Sequence, residues 1–343
     1  MVTNDMNNQF SAFGLSIEQA EVLFALQRKL TNNDVMIEGK KEPIFGSNKS
    51  GKKRLWLNVW EKAIENYIKE LGGNPYQLSI CDSYLKEKIS KLDNNTQNGV
   101  WKYMVFLECV LYSPYYPLDT DKNAYKPFKG LSIDKTGREE CLRNIAELLS
   151  VNSKYIKIFE NAHSSAVKKL SGYWTKIALG AGIGIVVILL AIVTFQYQII
   201  AFFAASGLHG AAAISAGLAA LGGGAISAGG LGMAGGITVL IGGGSLLGAA
   251  LGSGAGLAIA SLGSGAVLSE AAKLQVVLKE IVLAIQKDTL YFQKILLALN
   301  QQVKRLKDEI IIMKTETEKN KKKIKNLEES VKILEKLIKN LGL

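Results

Sequence analysis

The chain has 343 residues, a net charge of +11 and 48% hydrophobic residues, enough for two soluble regions around an apolar segment. The basicity is mild and evenly shared, with 25 Lys+Arg against 20 Asp+Glu up to Lys176 and 16 against 10 from Glu270 onward. No basic block is interleaved with aromatic residues, so nucleic acid is not an expected partner.

The stretch Met1 to Phe13 is polar and has no apolar core, so no secretory signal peptide is expected there. Residues 1–160 then read as a soluble all-helical domain. Ser16 with Gln19 makes a capping box ahead of Ala20, Val22, Leu23, Leu26 and Leu30. Leu55, Trp56, Val59, Trp60, Ile64 and Ile68 form a helical stripe that Gly72 and Gly73 end. Trp101, Val105, Leu107, Val110 and Leu111 form another that stops at Pro114. These aromatic residues sit at core spacing. The loop from Ser113 to Gly130 holds three of the five prolines, and Thr136 with Glu139 is expected to cap the next helix, through Leu142, Ile145, Leu148 and Leu149. Cys81, Cys109 and Cys141 are isolated, which suits buried thiols in a reducing compartment.

The segment Gly137–Ala162, GREECLRNIAELLSVNSKYIKIFENA, resembles the closing helix pair of the tellurite-resistance TerB-like helical domains. The resemblance implies a helical fold for this region, and a protein partner at the N-terminal domain is an open expectation. It implies no metal site, because Asp119, Asp121 and Asp134 are scattered.

Residues 161–176 are expected to form a juxtamembrane helix that ends in Tyr173, Trp174 and Lys176, side chains suited to a membrane interface. From Ile177 to Ser269 the chain then carries no charge for 93 residues and holds 23 of its 34 glycines. A hydrocarbon core about 30 Å thick takes roughly 20 apolar residues per helix, so 2 or 4 spans fit residues 177–269. Lys168, Lys169 and Lys176 before the run, with Lys273 and Lys279 after it, put both termini on the cytoplasmic side of a cell membrane.

Within the run, every fourth position from Ala216 to Ser264 is Gly, Ala or Ser except Leu240. Residues four apart stack on one helix face, so Gly224, Ala228, Gly232, Gly236, Gly244, Gly248, Gly252 and Gly256 line a groove. In lipid, such small-residue grooves are where helices pack. One helix of that length would be about 70 Å long, so breaks are expected at Gly229-Gly230, Gly235-Gly236 and Gly242-Gly243-Gly244.

Residues 270–343 read as a coiled coil. From Val282 to Leu341, alternating steps of three and four keep one apolar register with no proline. Leu299, Val303, Leu306, Ile310, Ile324, Leu327, Val331, Leu334, Ile338 and Leu341 are the candidate oligomerisation residues. Thr317 and Asn320 are the polar positions that would fix the register. The same pattern also fits a long helix packed back on its own chain.

No phosphate loop, H-E-x-x-H, C-x-x-C or G-x-S-x-G occurs, and His163 and His209 are the only histidines. No catalytic, metal or cofactor site is therefore expected, and the chain does not read as an enzyme. The expected protein is all-α and homo-oligomeric, with the lipid bilayer as its partner, and it forms or gates a pore as a toxin or defence effector would. Its layout over residues 150–343 resembles the helical pore-forming toxins of the haemolysin BL and cytolysin A superfamily. That resemblance implies a form made soluble that inserts on a trigger. A membrane-anchored coiled-coil scaffold is the third possibility.

Overall fold

Ser16 opens the first helix as its sequence suggests. Its hydroxyl accepts the Gln19 N–H at 3.3 Å, and the Gln19 side chain accepts the Ser16 N–H at 3.0 Å, so two orphan donors are satisfied reciprocally. The computed structural model describes residues 13–42, 48–70, 73–74, 78–95, 99–116, 118, 126–171, 239–244, 246, 264–315 and 321–342. They divide into two units, Leu15–Glu160 and Met1–Gly14 with Asn161–Leu343. The described residues are helical apart from loops, turns and two two-residue strands, so the protein is all-α in class.

In the unit Leu15–Glu160, α1 (Ile17–Lys41) is packed by α2 (Lys49–Glu70), α3 (Asp82–Asn95), α4 (Val100–Leu111) and α5 (Lys135–Leu148). Residues Gln19 to Gln27 are buried without interruption, so α1 is a central helix rather than an amphipathic one. Its buried Glu21 is compensated by the Lys88 ammonium at 2.5 Å and the Asn74 N–H at 3.0 Å. From α2, Trp56, Trp60, Ile64 and Ile68 enter the core, while Leu55 and Val59 remain exposed. The indole N–H groups of Trp56 and Trp60 donate to the Tyr116 carbonyl at 2.8 Å and the Tyr116 hydroxyl at 3.0 Å.

One local expectation differs from the structure. Helix α5 is capped by Asp134, whose carboxylate accepts the Gly137 N–H at 2.8 Å. Thr136 and Glu139 lie inside the helix instead. Helix α3 gives no clear periodic signal, since Leu85 and Ile89 are its only fully buried apolar side chains.

Helix α6 (Tyr155–Ser171) begins in the first unit and belongs to the second from Asn161 onward. In the second unit, α7 (Ser264–Val276) continues as a ten-residue π-helix, Val277–Gln286. It is followed by α8 (Thr289–Thr315) and α9 (Lys321–Leu341). Two two-residue strands are described, β1 (Gly14–Leu15) and β2 (Val239–Leu240).

The expected single helix from Val282 onward is broken. Lys287 adopts a left-handed conformation, with φ 59°, and ends the π-helix, while the Asp288 carboxylate caps α8 by accepting the Tyr291 N–H at 2.8 Å. Thr317 and Asn320 lie outside the described residues. Helices α8 and α9 pack as an antiparallel hairpin. Its ion pairs Lys307–Glu335 and Lys314–Glu328, both 2.7 Å, step forward seven residues on α8 and back seven on α9.

Candidate functional site

Most of the uncharged run lies outside the described residues, and with it Gly224, Ala228, Gly232, Gly236, Gly248, Gly252, Gly256 and His209. Among the described residues, no helix is long and apolar enough to cross a membrane. The parts of the run that are described, 239–244, 246 and 264–269, lie within the second unit. Ile241 and Leu246 are buried, and the Ile241 N–H donates to the Phe13 carbonyl at 2.9 Å.

This segment turns at the glycine triplet. Gly242 and Gly243 have φ 62° and 83°, a region that costs a residue with a Cβ. A Cβ on Gly243 would collide with the Glu270 carbonyl and lie 2.7 Å from the Leu274 Cβ; one on Gly244 would lie 2.5 Å from the Phe13 Cβ. Here the glycines permit backbone to approach a helix and an aromatic side chain. At Gly244 the close neighbour is the Phe13 side chain, not a second small-residue helix.

Helix α7, which the turn abuts, carries the feature that sequence reasoning missed. Every residue from Ser269 to Leu278 is buried. Among them are Glu270 and Lys273, whose side chains pair at 3.2 Å with almost no exposure. The lysine flanks of the run place Lys273 at a membrane surface; in this unit it lies in the core instead. An ion pair in such surroundings is costly to bury and still more costly to break. The signal available in the sequence was an i,i+3 pair inside an Ala/Leu/Val helix.

His163 on α6 is 6% exposed, and its Nε2 has no hydrogen-bond partner among the described residues. Burial, and secondarily the Lys273 charge, lower its pKa to about 4. Gln302 on α8 is also buried, and neither of its amide atoms has a partner among the described residues.

Of the candidate oligomerisation residues, Leu299, Val303, Leu306 and Ile310 on α8 are buried, as are Leu327, Val331, Leu334 and Leu341 on α9. Ile324 and Ile338 are half-buried. The seam is filled within one chain. The opposite side of α8 exposes Leu290, Leu297, Ile311 and Ile312, at 67%, 61%, 63% and 55%.

The unit Leu15–Glu160 holds a second buried charge cluster. The Lys53 ammonium lies 2.7 Å from Asp34 and 2.7 Å from Glu38, with Lys53 and Asp34 each 2% exposed. The second Asp34 oxygen accepts the Asp134 N–H at 2.7 Å, and the Tyr115 hydroxyl donates to the carboxylate. Tyr115 holds a left-handed conformation, φ 72°, against the edge of Trp56. Its hydroxyl pKa is raised well above the usual tyrosine range by burial and by the Asp34 charge. The cluster fastens the loop after α4 to α1 and α2. Among the described residues, no group of three His, Cys, Asp or Glu side chains is placed to hold a metal. Cys109 and Cys141 are buried thiols, while Cys81 is exposed.

No family model, no curated protein and no solved structure matches this chain.

Proposed function

We propose that this chain acts on membranes as an oligomeric pore former whose membrane part is the uncharged run Ile177–Ser269. The observation that carries the proposal is the run itself: 93 residues without charge and with small residues at every fourth position. Their length and spacing suit several short helices packed closely in lipid. The turn at Gly242 and Gly243 supports division of the run into short segments. Assembly is assigned to the small-residue groove, because the C-terminal seam is occupied within the chain.

Among versions of this reading, the burial of Ile241 and Leu246 favours a form that keeps part of its run packed on its own helices. That is the behaviour implied by the resemblance to the helical pore-forming toxins. Full-length protein added to dye-loaded vesicles should release dye and then resist carbonate extraction. Protein that resists extraction but never releases dye, under any pH or lipid tested, would favour the membrane-anchored scaffold. Protein that stays fully extractable and releases nothing would end the membrane reading.

A further inference from the structure

We propose that the outer face of α8 is a docking surface for a second copy of this chain, paired antiparallel about a two-fold axis at Gln301. The inference concerns α8 alone and holds whether or not the chain opens a pore. Among the described residues, four of the seven exposed large apolar side chains lie on this helix: Leu290, Leu297, Ile311 and Ile312. The residues that fill the hairpin seam, Ile295, Leu299, Leu306 and Ile310 among them, turn to the other side. At about 100° per residue, Leu290, Leu297 and Ile312 fall within about 40° of the direction of Gln301, together with Lys294, Arg305 and Asp308. All of these side chains except the half-buried Lys294 are exposed.

That stripe is symmetric in position. Counting 4, 7 and 11 residues either way from Gln301 reaches Leu297 and Arg305, then Lys294 and Asp308, then Leu290 and Ile312. In a two-fold interface residue i meets residue j of the other copy, j meets i, and the residue on the axis meets itself. Antiparallel pairing about Gln301 therefore sets Leu290 on Ile312 of the second copy and Lys294 beside Asp308, each twice. It also lays the aliphatic stem of Arg305 over Leu297. Lys294 and Asp308 choose the occupant. Lys307 and Lys314 are paired across the hairpin, whereas neither Lys294 nor Asp308 forms an ion pair among the described residues. They stand 14 residues apart, about 21 Å along the helix, so one chain cannot bring them together. An antiparallel copy does so, while a parallel copy would oppose each to its own like charge.

The test uses the full chain carrying Cys81→Ser, which removes the exposed native thiol. The protein is made by cell-free synthesis with and without dye-loaded phosphatidylcholine vesicles, then oxidised with diamide. Gln301→Cys should give a disulfide-linked dimer on its own. Leu290→Cys should stay monomeric, because position 290 of the second copy stands about 33 Å away along the helix. It should link to Ile312→Cys when the two proteins are mixed. Adding Lys294→Glu or Asp308→Lys to Gln301→Cys sets like charges together twice. Each should raise the protein concentration needed for cross-linking about tenfold or more. An equal mixture of the two should restore the parental yield, since each mixed dimer holds two opposite pairs.

The substitutions sit on the outer face of the helix, so an unchanged circular dichroism spectrum is expected, and recovery in the mixture would show that both charge variants fold. A Gln301→Cys protein that stays monomeric, or a Leu290→Cys protein that links to itself, overturns the proposal. Single charge variants that cross-link as readily as the parent would do the same. The Gln301→Cys cross-link without dye release would retain this inference and remove the pore reading. Dye release without the cross-link would do the reverse.

Discussion

At the residue scale, the buried ionisable groups give the sharpest expectations. Lys53 pairs with Asp34, both almost fully buried, and with the partly exposed Glu38. Lys53→Met leaves an uncompensated carboxylate beside Tyr115, a change that costs about 3 kcal/mol. Urea unfolding should show that loss, and Lys53→Met/Asp34→Asn should recover part of it by removing the stranded charge. His163 sets a pH dependence of definite sign. Its pKa of about 4 in the fold is below the ordinary 6.5, because burial, then Lys273, disfavours the charged form. The unfolded chain therefore takes up a proton first as pH falls, so stability is fully present above about 6.5 and declines until about pH 4. The shift corresponds to about 3 kcal/mol, an order of magnitude for an imidazole this deeply buried. Chemical denaturation from pH 7 to pH 4 should therefore show a shallower decline for His163→Gln than for the parent. Equal slopes would place the histidine in solvent.

At the scale of elements, the heptad pattern marks an apolar face that is buried in most places, with Ile324 and Ile338 half-buried, but not which surface that face meets. A 3.5-residue period is satisfied equally by a second chain or by the same chain folded back. The choice turned on two short interruptions, left-handed Lys287 and the linker before Lys321, and neither carries proline or an internal glycine. The Ser16–Gln19 box was legible because capping is a local code. Helix α3 was hard to read, since Leu85 and Ile89 alone make a short stripe. Lys273 reads as a flanking charge because sequence does not reveal that a helix is surrounded. The hairpin can be tested directly. Leu334 is fully buried, so Leu334→Ala should cost about 3 kcal/mol, while Leu297→Ala on the exposed side should change stability by less than about 0.5 kcal/mol. Amide exchange over α8 and α9 should accelerate for Leu334→Ala alone. If Leu334→Ala instead left exchange unchanged but removed cross-linked oligomers, the seam would be shared between copies.

At the scale of the whole molecule, an uncharged run of 93 residues can serve as an anchor or as an assembly surface. A segment held only as an anchor needs apolar length and nothing more, so any large apolar residue would serve at its glycines. A segment that assembles needs close backbone approach, and there glycine is specific. Gly248→Leu/Gly252→Leu separates these demands, because leucine raises apolarity while filling the groove. Membrane association should persist or rise, and the carbonate-resistant fraction should not fall. Dye release should drop at least about tenfold, since each leucine adds a four-carbon side chain where two helices are proposed to touch, and over-packing of that kind costs about 1–3 kcal/mol per site. Gly248→Ala/Gly252→Ala, which adds only a methyl group at each position, should retain most of the release. Leucine and alanine variants that leak as fast as the parent would show that the groove is not the assembly surface. Leucine variants that no longer reach the membrane would mean that these glycines serve the folded form before insertion, as Gly243 does against α7.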